Sequence, residues 1–212
     1  MRFISESSDS MIPAVYYCAD YDFDCADYLM LLPPERRERA LRYKTELTRK
    51  NCIGAYVLLM NVLNDMGFDS FELEYSANGK PYIKGNPVYF SLSHSDSGYV
   101  CAVDKNEIGV DVQTVAPPRQ SLENRVCSPK ELAALERFGD RALGFTRLWT
   151  FKESIIKKNA GTLSQYAEYE FDEIKNDFYR FGCHFLSFDS DIGSITVCGE
   201  FETIKIIKKA RL

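Results

Sequence analysis

The clearest pattern of hydrophobic positions lies between residues 145 and 161, in the segment FTRLWTFKESIIKKNAG. Its apolar side chains recur every three or four residues, which is the spacing of one face of an α-helix. These positions are Phe145, Leu148, Trp149, Ile155 and Ile156. Gly161 follows the pattern, with Lys157 and Lys158 in the last turn, so we predict that the helix ends there.

Charged residues border the apolar face of this predicted helix. Lys152 projects from the apolar side, and Glu153 lies one turn from Lys157. An ion pair between Glu153 and Lys157 on a solvated edge would explain both residues, and the helix taken alone favours that interpretation. The motifs in the rest of the chain instead favour a functional role for Glu153 and Lys157.

Two further helices are predicted before residue 67. The segment ERRERALRYK forms a short, strongly charged helix directly after Pro33 and Pro34. The second helix runs from about residue 46 to residue 66. It is apolar nearly all round from Ile53 to Leu63, so we expect it to lie at the centre of a core.

Short segments of alternating or continuous apolar residues predict strands before and after the helix of residues 145–161. In the first part of the chain these strands are 14–17, 71–76, 88–93, 99–103 and 108–112. A capping box formed by Ser128 and Glu131 then begins another helix, which ends at Gly139. In the last part of the chain, antiparallel strands are predicted at 166–171, around 179–188, at 194–199 and at 201–207.

Each half of the chain therefore consists of helices followed by a small antiparallel sheet, which predicts an α+β fold. We expect the two halves to be similar and related by a pseudo-twofold axis, although no strong sequence repeat accompanies them. The pair Pro117-Pro118 breaks the chain near the boundary. We assign residues 1–112 to an N-terminal half and residues 113–212 to a C-terminal half.

Composition narrows the class of protein. The 212 residues are 45% hydrophobic and 27% charged, as in ordinary globular domains, and the formal net charge of −5 argues against a nucleic-acid partner. The seven cysteines include no CxxC pair, which argues against a thiolate zinc site and favours small buried side chains in a reducing compartment. The segment MRFISESSDS lacks the apolar core of a signal peptide, and no segment approaches membrane-spanning length. We expect a cytoplasmic monomer without a membrane partner.

The segment IGVDVQ carries the first candidate site. A strand has a period of two, so Asp111 and Gln113 lie on the same face and present oxygen atoms side by side. Together with Glu153 they could hold a hard cation such as Mg²⁺, which takes one or two protein carboxylates. An aspartate at a strand end that faces water is the alternative, and position alone favours it.

The segment FSLSHSDSG carries the second candidate site. His94, one of two histidines, follows a predicted strand and opens a polar loop rich in hydrogen-bond donors, which suits an anion. An ordinary hairpin is the alternative. The segment is not a nucleophile elbow, because the flanking glycines of that motif are absent.

Basic residues form the third candidate. Arg36 and Arg39, together with Arg49 and Lys50 at the start of the next helix, would form a cationic patch if the two segments pack together. Lys80 adds another positive charge. Solvated helix faces are the ordinary alternative. The chain contains neither a P-loop nor a Rossmann glycine motif, so neither kind of nucleotide site is supported.

Six motifs, in this order and spacing, resemble those of the 4′-phosphopantetheinyl transferases of the Sfp type, which activate carrier proteins of fatty-acid, polyketide and nonribosomal peptide synthesis. They are PERRERALRY, RKN, NGKPYI, FSLSH, IGVDVQ and LWTFKESIIKKNAGTL. The resemblance covers about residues 33–163 and is strongest over 79–113 and 148–163. It implies two similar α+β halves with coenzyme A bound in the cleft between them.

The resemblance also implies roles for individual residues. Asp111 and Glu153 match the family's metal-binding aspartate and glutamate, and Gln113 stands where this type usually has a third carboxylate ligand. Lys157 matches a lysine that contacts the diphosphate of coenzyme A. The other matches lie along coenzyme A: Ser93 and His94 at its phosphates, Lys80 beside the nucleotide, and Arg36, Arg39 and Lys50 near the 3′-phosphate.

The implied function is that of a holo-acyl-carrier-protein synthase type of enzyme with Mg²⁺ as cofactor. It would transfer the 4′-phosphopantetheine arm of coenzyme A to a serine of an apo acyl or peptidyl carrier protein and release adenosine 3′,5′-bisphosphate. We predict Asp111, Glu153 and Lys157 as catalytic residues, with Glu153 accepting the serine proton.

Two other functions remain open at this point. One is a non-catalytic module that binds coenzyme A or a carrier protein, which is favoured if Gln113 has disabled the metal site. The other is a metal-dependent diphosphate hydrolase, although the chain lacks the helix with several carboxylates that such hydrolases often use.

Overall fold

The structure is a computed structural model that describes residues 12–19 and 23–212. It contains helices and small sheets, which confirms the predicted α+β class. The helices are α1 (Cys25–Leu29), α2 (Pro34–Arg42), α3 (Glu46–Asp65), α4 (Gln120–Val126), α5 (Pro129–Phe138) and α6 (Arg141–Lys158), and a 3₁₀ helix covers Leu163–Glu168. The strands are β1 (Ala14–Cys18), β2 (Leu73–Tyr75), β3 (Pro81–Ile83), β4 (Tyr89–Ser95), β5 (Gly98–Asp104), β6 (Gly109–Gln113), β7 (Asp177–Arg180), β8 (Cys183–Ser190), β9 (Gly193–Gly199) and β10 (Lys205–Lys209).

Within the described residues, the strands form two four-stranded sheets and the small pair β2-β3. The first sheet has the order β10-β1-β5-β4, and the second has the order β6-β9-β8-β7. Neighbouring strands are antiparallel, except that β1 and β10 are parallel. The helix α3 packs on the first sheet, and α6 packs on the second.

The helix α3 lies at the centre of the first core, as its apolar sequence predicts. Thr45 caps its N-terminus by accepting a hydrogen bond from the backbone N of Thr48. The segment from Ile53 to Leu59 is buried throughout. The ring of Tyr99 lies against Gly54, where a Cβ would be 2.2 Å from the ring, so the helix approaches β5 closely.

The helix α6 confirms the helix predicted from residue 145 and extends it by one turn at the N-terminal end. Asp140 caps it by accepting a hydrogen bond from the backbone N of Leu143. Every residue from Gly144 to Ile156 except Trp149 is buried. This burial arises because α5 covers one side of the helix while β6 and β9 cover the other.

The strand β6 lies directly against α6 because residue 109 is glycine. A Cβ at Gly109 would be 1.9 Å from the carbonyl O of Ser154 and 2.6 Å from the backbone N of Lys158. The strand and helix backbones are therefore in contact. Asp111, two residues further on the same strand face, is brought beside the last turns of α6.

The strands β4 and β6 belong to different sheets but lie side by side, and serine hydroxyls of β4 connect them. Ser91 Oγ accepts a hydrogen bond from the backbone N of Val110 at 3.0 Å. Ser93 Oγ donates to Asp111 Oδ1 at 2.7 Å. Ser95 is also buried in this row, so alternate residues of one strand bond across the junction between the sheets.

A buried ion pair fixes α5 against α6. Lys152 is 1% exposed and Glu131 is fully buried, and Lys152 Nζ lies 2.8 Å from Glu131 Oε2. The same ammonium group donates to the carbonyl oxygens of Val126 at 2.9 Å and Tyr166 at 3.1 Å. All three N–H groups of Lys152 thus have acceptors, which is what makes a buried charge tolerable.

Two predictions about the last part of the chain are wrong. Residues 166–171, predicted as a strand, begin inside the 3₁₀ helix, because a capping box of Thr162 and Gln165 starts a helical turn. The last strand was predicted to join an antiparallel C-terminal sheet, but β10 pairs in parallel with β1. Parallel pairing joins segments far apart in the chain and needs no turn motif that a sequence could display.

The predicted division after residue 112 falls within β6, and it stays a prediction. Within residues 12–19 and 23–212, no helix has both the length and the apolar character needed to cross a membrane. Five of the seven cysteines are buried, as expected, whereas Cys25 and Cys52 are partly exposed.

We expect Gly109→Ala to lower the free energy of unfolding by about 3 kcal/mol or more, because the added methyl group meets helix backbone rather than a side chain that can rotate. Urea denaturation measures the change. Gly144→Ala, on α6 itself, is the control, since a Cβ there meets only side chains at 3.0 Å or more. We expect that control to stay within about 1 kcal/mol of wild type. Equal stability of the Gly109 variant and wild type would contradict the close contact.

Candidate active site

Three of the predicted site residues form a closed triangle where β4, β6 and α6 meet. Lys157 Nζ donates to Asp111 Oδ1 at 2.6 Å and to Ser93 Oγ at 2.8 Å. Ser93 Oγ donates in turn to the same oxygen of Asp111 at 2.7 Å. Asp111 is 5% exposed, so the strand-end aspartate facing water is not what the structure contains.

Glu153 lies one turn before Lys157 and is 8% exposed. Its Oε1 accepts a hydrogen bond from the hydroxyl of Tyr166 at 2.7 Å. Burial raises the pKa of Glu153, and the negative charge of Asp111 raises it further. The alternative of a Glu153–Lys157 pair on a solvated edge is therefore wrong, because Lys157 pairs with Asp111 and Glu153 is buried.

The two carboxylates suit a divalent cation. Asp111 and Glu153 are close enough for the charge of one to disfavour ionisation of the other, and a cation relieves that repulsion. The described residues hold no group of three His, Cys, Asp or Glu side chains placed to bind a metal. Mg²⁺ often takes only one or two protein carboxylates and completes its shell with water and phosphate oxygens. The donor set therefore fits Mg²⁺ shared with a phosphate ligand.

Gln113 ends β6 with an exposed side chain and lines a cleft of about 490 Å³ between the loop after β6, α4 and α6. Arg125 and Trp149 line the same cleft. The ring of Trp149 lies 5.4 Å from that of Tyr166, so the cleft adjoins the carboxylates. The sequence did not predict this cleft, because the loop after β6 and α4, which complete its walls opposite α6, carry no recognisable motif.

His94 lies within β4 rather than in the loop predicted for it. The strand continues to Ser95, whose hydroxyl donates to the carbonyl O of Ile192 at 2.7 Å and accepts from the backbone N of Ser97 at 3.1 Å. The side chain of His94 is exposed and points away from the face that carries Ser93. Although its side chain reaches solvent, His94 is crowded by neighbouring residues, and this desolvation, followed by the charge of Lys157, lowers its pKa.

A cationic cleft of about 280 Å³ lies between α2, α3 and β4. Its lining includes Arg36, Arg39, Asn51, Ser93 and His94. Arg36 is 8% exposed, and its guanidinium lies 5.3 Å from the ring centre of Tyr56. Among the described residues, Arg36 Nε has no hydrogen-bond partner. A buried guanidinium with an unused donor suits an anion.

Two predicted basic residues lie outside this cationic cleft. Lys50 pairs with Glu46 at 3.5 Å and lies 5.6 Å from the ring centre of Phe23. Lys80 Nζ bonds to Glu107 Oε2 at 2.6 Å and to the carbonyl O of Lys158 at 2.8 Å. Lys80 lines an adjoining recess that also contains Arg39 and Lys157. The structure thus brings Lys80 near the other site residues and leaves Lys50 apart.

Comparison with known proteins adds independent information. A family model described as the 4′-phosphopantetheinyl transferase superfamily matches residues 107–196. A 4′-phosphopantetheinyl transferase of Bacillus subtilis is 33% identical over 136 residues, which are 61% of each chain. The 4′-phosphopantetheinyl transferase Sfp of B. subtilis strain 168 is 28% identical over 143 residues, covering 65% of this chain and 64% of Sfp. The 4′-phosphopantetheinyl transferase AcpT of Escherichia coli K12 is 32% identical over 140 residues, covering 63% of this chain and 68% of AcpT.

The chain thus spans a little under two thirds of the length of the first two of these relatives.

The raised pKa of Glu153 has a consequence for stability. Because the pKa of Glu153 is higher in the folded protein, the folded state binds the carboxyl proton more tightly than the unfolded chain does. The free energy of unfolding therefore falls as pH rises from 4.5 through the folded pKa. We therefore expect Glu153→Gln to raise Tm near pH 7 in buffer with EDTA, and the gain to vanish near pH 4. Glutamine keeps an acceptor for Tyr166.

Thermal unfolding at the two pH values checks this expectation. Glu38→Gln on α2 is the control, because that side chain is 69% exposed and its Tm should barely change. A lower Tm for the Glu153 variant near pH 7 would show that the buried carboxylate stabilises the fold.

Proposed function

The chain belongs to the 4′-phosphopantetheinyl transferase superfamily, and from this premise we propose that it transfers the 4′-phosphopantetheine arm of coenzyme A to a serine of an apo acyl or peptidyl carrier protein. The observation that carries the proposal is the pair of buried carboxylates, Asp111 and Glu153, beside Lys157 and the cationic cleft. The diphosphate of coenzyme A needs a cation near its oxygens, and its 3′-phosphate needs basic donors at a distance from them. The carboxylates and the cationic cleft adjoin each other, since Ser93 bonds to Asp111 and also lines the cleft.

In the proposed reaction the serine oxygen bonds to the β-phosphorus of coenzyme A. The bond from that phosphorus to the bridging oxygen breaks, and adenosine 3′,5′-bisphosphate leaves with the electron pair. Glu153 accepts the serine proton, for which its raised pKa is suited. Lys157 Nζ donates to Asp111 and Ser93 and keeps a third N–H for a diphosphate oxygen. Ser93 gives its single proton to Asp111 and thereby holds the carboxylate and Lys157 in place.

We assign the metal to Asp111 and Glu153, with Gln113 at the edge of its shell. When bound, Mg²⁺ supplies the positive charge that offsets the negative charge on the diphosphate oxygens. Gln113 offers a neutral oxygen in place of a third carboxylate, so the metal depends more on the diphosphate than it would with three. Asp111 and Glu153 would hold the cation, and phosphate oxygens of the substrate and water would supply its remaining ligands.

The nucleotide end of coenzyme A is assigned to the cationic cleft. Arg36 and Arg39 provide charge for the 3′-phosphate, and neutral His94 provides a ring donor for a phosphate oxygen. Lys80 contributes from the adjoining recess while it remains paired with Glu107. The role proposed for Lys50 has the least support, because that side chain packs on Phe23 outside the cleft.

We propose two related halves with a pseudo-twofold relation and a division near residue 112, each centred on one of the two sheets. Two strands cross that division, since β6 pairs into the second sheet and β10 returns to the first. Support comes from the equivalent packing of α3 and α6, each a long buried helix on a four-stranded sheet. The candidate site lies where β4 of one half meets β6. We further propose a cytoplasmic monomer of the holo-acyl-carrier-protein synthase type, in which coenzyme A and the carrier are the partners.

We expect the protein, incubated with coenzyme A, Mg²⁺ and a panel of apo carrier proteins, to increase the mass of at least one carrier by one phosphopantetheine group. Asp111→Ala should lower the rate by far more than tenfold, because a loss of tenfold corresponds to only about 1.4 kcal/mol of transition-state stabilisation. Mass spectrometry of the carriers measures the transfer. Asp69→Ala, which alters an exposed aspartate, should leave the rate unchanged.

Two other results would identify the competing functions. Adenosine 3′,5′-bisphosphate released without any carrier would indicate a diphosphate hydrolase. Coenzyme A binding without transfer to any carrier would indicate a non-catalytic module.

We expect Arg39→Ala to raise the KM for coenzyme A about tenfold and to leave kcat within about twofold, since a contact far from the reacting bond contributes uniform binding. With 3′-dephospho-coenzyme A, the variant and wild type should have the same KM. Initial rates with the two substrates measure the difference. Arg42→Ala is the control, because Arg42 lies on the same helix with a side chain that is 78% exposed. An equal effect of Arg39→Ala on both substrates would show that Arg39 does not recognise the 3′-phosphate.

A further inference from the structure

Tyr166 is the residue closest to the proposed chemistry to which no motif assigns a role. It lies in the 3₁₀ helix that follows α6, in a segment whose sequence predicts a strand. Its hydroxyl donates to Glu153 Oε1 at 2.7 Å. That bond occupies one oxygen of the carboxylate, and no residue in the described ranges forms a hydrogen bond with the other.

The hydroxyl of Tyr166 is held in place from three directions. Its ring packs on Trp149, with ring centres 5.4 Å apart, and Trp149 lies one turn before Glu153 on α6. Its carbonyl O accepts a hydrogen bond from the buried Lys152 at 3.1 Å. The capping box of Thr162 and Gln165 fixes the start of the 3₁₀ helix. A donor supported in this way is rigid before any ligand binds.

We propose that Tyr166 is a positioning residue, which orients the carboxylate of Glu153 so that its second oxygen faces the cation and the serine; the inference rests on the proposed function. A free glutamate side chain has three torsions to immobilise when it binds a ligand, and a fixed hydrogen bond does this in advance. A catalytic group that is misplaced by a fraction of an ångström lowers kcat more than it weakens substrate binding. Tyr166 touches neither substrate in this proposal and acts only through Glu153.

The test is Tyr166→Phe, which removes the donor and keeps the ring that packs on Trp149. We expect kcat for transfer to fall about tenfold while the KM for coenzyme A stays within about twofold. We also expect weaker Mg²⁺ binding, by several-fold, when Mg²⁺ is titrated by calorimetry into protein saturated with coenzyme A and free of carrier. The calorimetric arm reports on the site without turnover.

Tyr169→Phe is the matched control. Its hydroxyl accepts a hydrogen bond from Asn159 at 3.0 Å, away from the carboxylates, so both measurements should match wild type. A double-mutant cycle then separates positioning from a general loss of structure. In a Glu153→Ala background, which removes the acceptor of the Tyr166 hydroxyl, Tyr166→Phe should change Mg²⁺ binding no further if it acts through the carboxylate.

The outcomes distinguish this inference from the function on which it rests. If wild type transfers no phosphopantetheine group, the proposed function fails. If wild type is active and Tyr166→Phe matches it in kcat and in Mg²⁺ binding, the positioning role is wrong. It is also wrong if Tyr166→Phe weakens Mg²⁺ binding equally in the Glu153→Ala background.

Discussion

The arrangement of the whole molecule depends on the way β4 and β6 meet without joining one sheet. Strand edges present unpaired N–H and C=O groups, and such groups need partners when they are buried. Here Ser91, Ser93 and Ser95 supply hydroxyls across the junction, so side chains replace part of a backbone ladder. A side chain holds two strands further apart than a backbone bond does. Lys157 of α6 also bonds to Asp111 at this junction, so the helix that covers it is tied to the same carboxylate.

The same junction concentrates charge that the fold would not otherwise tolerate. Asp111 and Glu153 are both largely buried, and one lysine is paired with one of them. By contrast, the nearby pair of Lys152 and Glu131 is saturated with hydrogen bonds and has no capacity left for a ligand. The buried Lys152 and the half-buried Lys157 thus have opposite properties. Lys152, whose hydrogen bonds are all satisfied, fixes α6 against α5. Lys157 belongs to the candidate site, where charged groups can still bind a ligand, and such sites often cost stability.

The sequence predicts those parts of this site that depend on local periodicity. The pattern of period two in IGVDVQ places Asp111 on the face that α6 covers, and the helical pattern around Trp149 places Glu153 and Lys157 on one side. Tyr166 escapes prediction because its alternating aromatic neighbours imitate a strand, and the capping box that overrides them is a weaker local signal. The parallel pairing of β10 with β1 is non-local, so no short segment encodes it. The sequence predicts a loop at His94 because a run of serines is polar. In the structure β4 continues through Ser95, whose hydroxyl bonds to the turn before β9, and that contact is not local in the sequence.

In the metal site that we propose, Gln113 would shift the charge balance rather than remove the site. A third carboxylate beside Asp111 and Glu153 would bind a cation more tightly but would also repel the diphosphate that shares it. Under that proposal, glutamine would avoid the repulsion and leave the cation partly dependent on the substrate. In thermodynamic terms, binding of metal and of coenzyme A becomes coupled, and coupling is reciprocal: each ligand raises the affinity for the other by the same factor. A site with two carboxylates and one lysine therefore acquires its full charge balance only when both ligands are present.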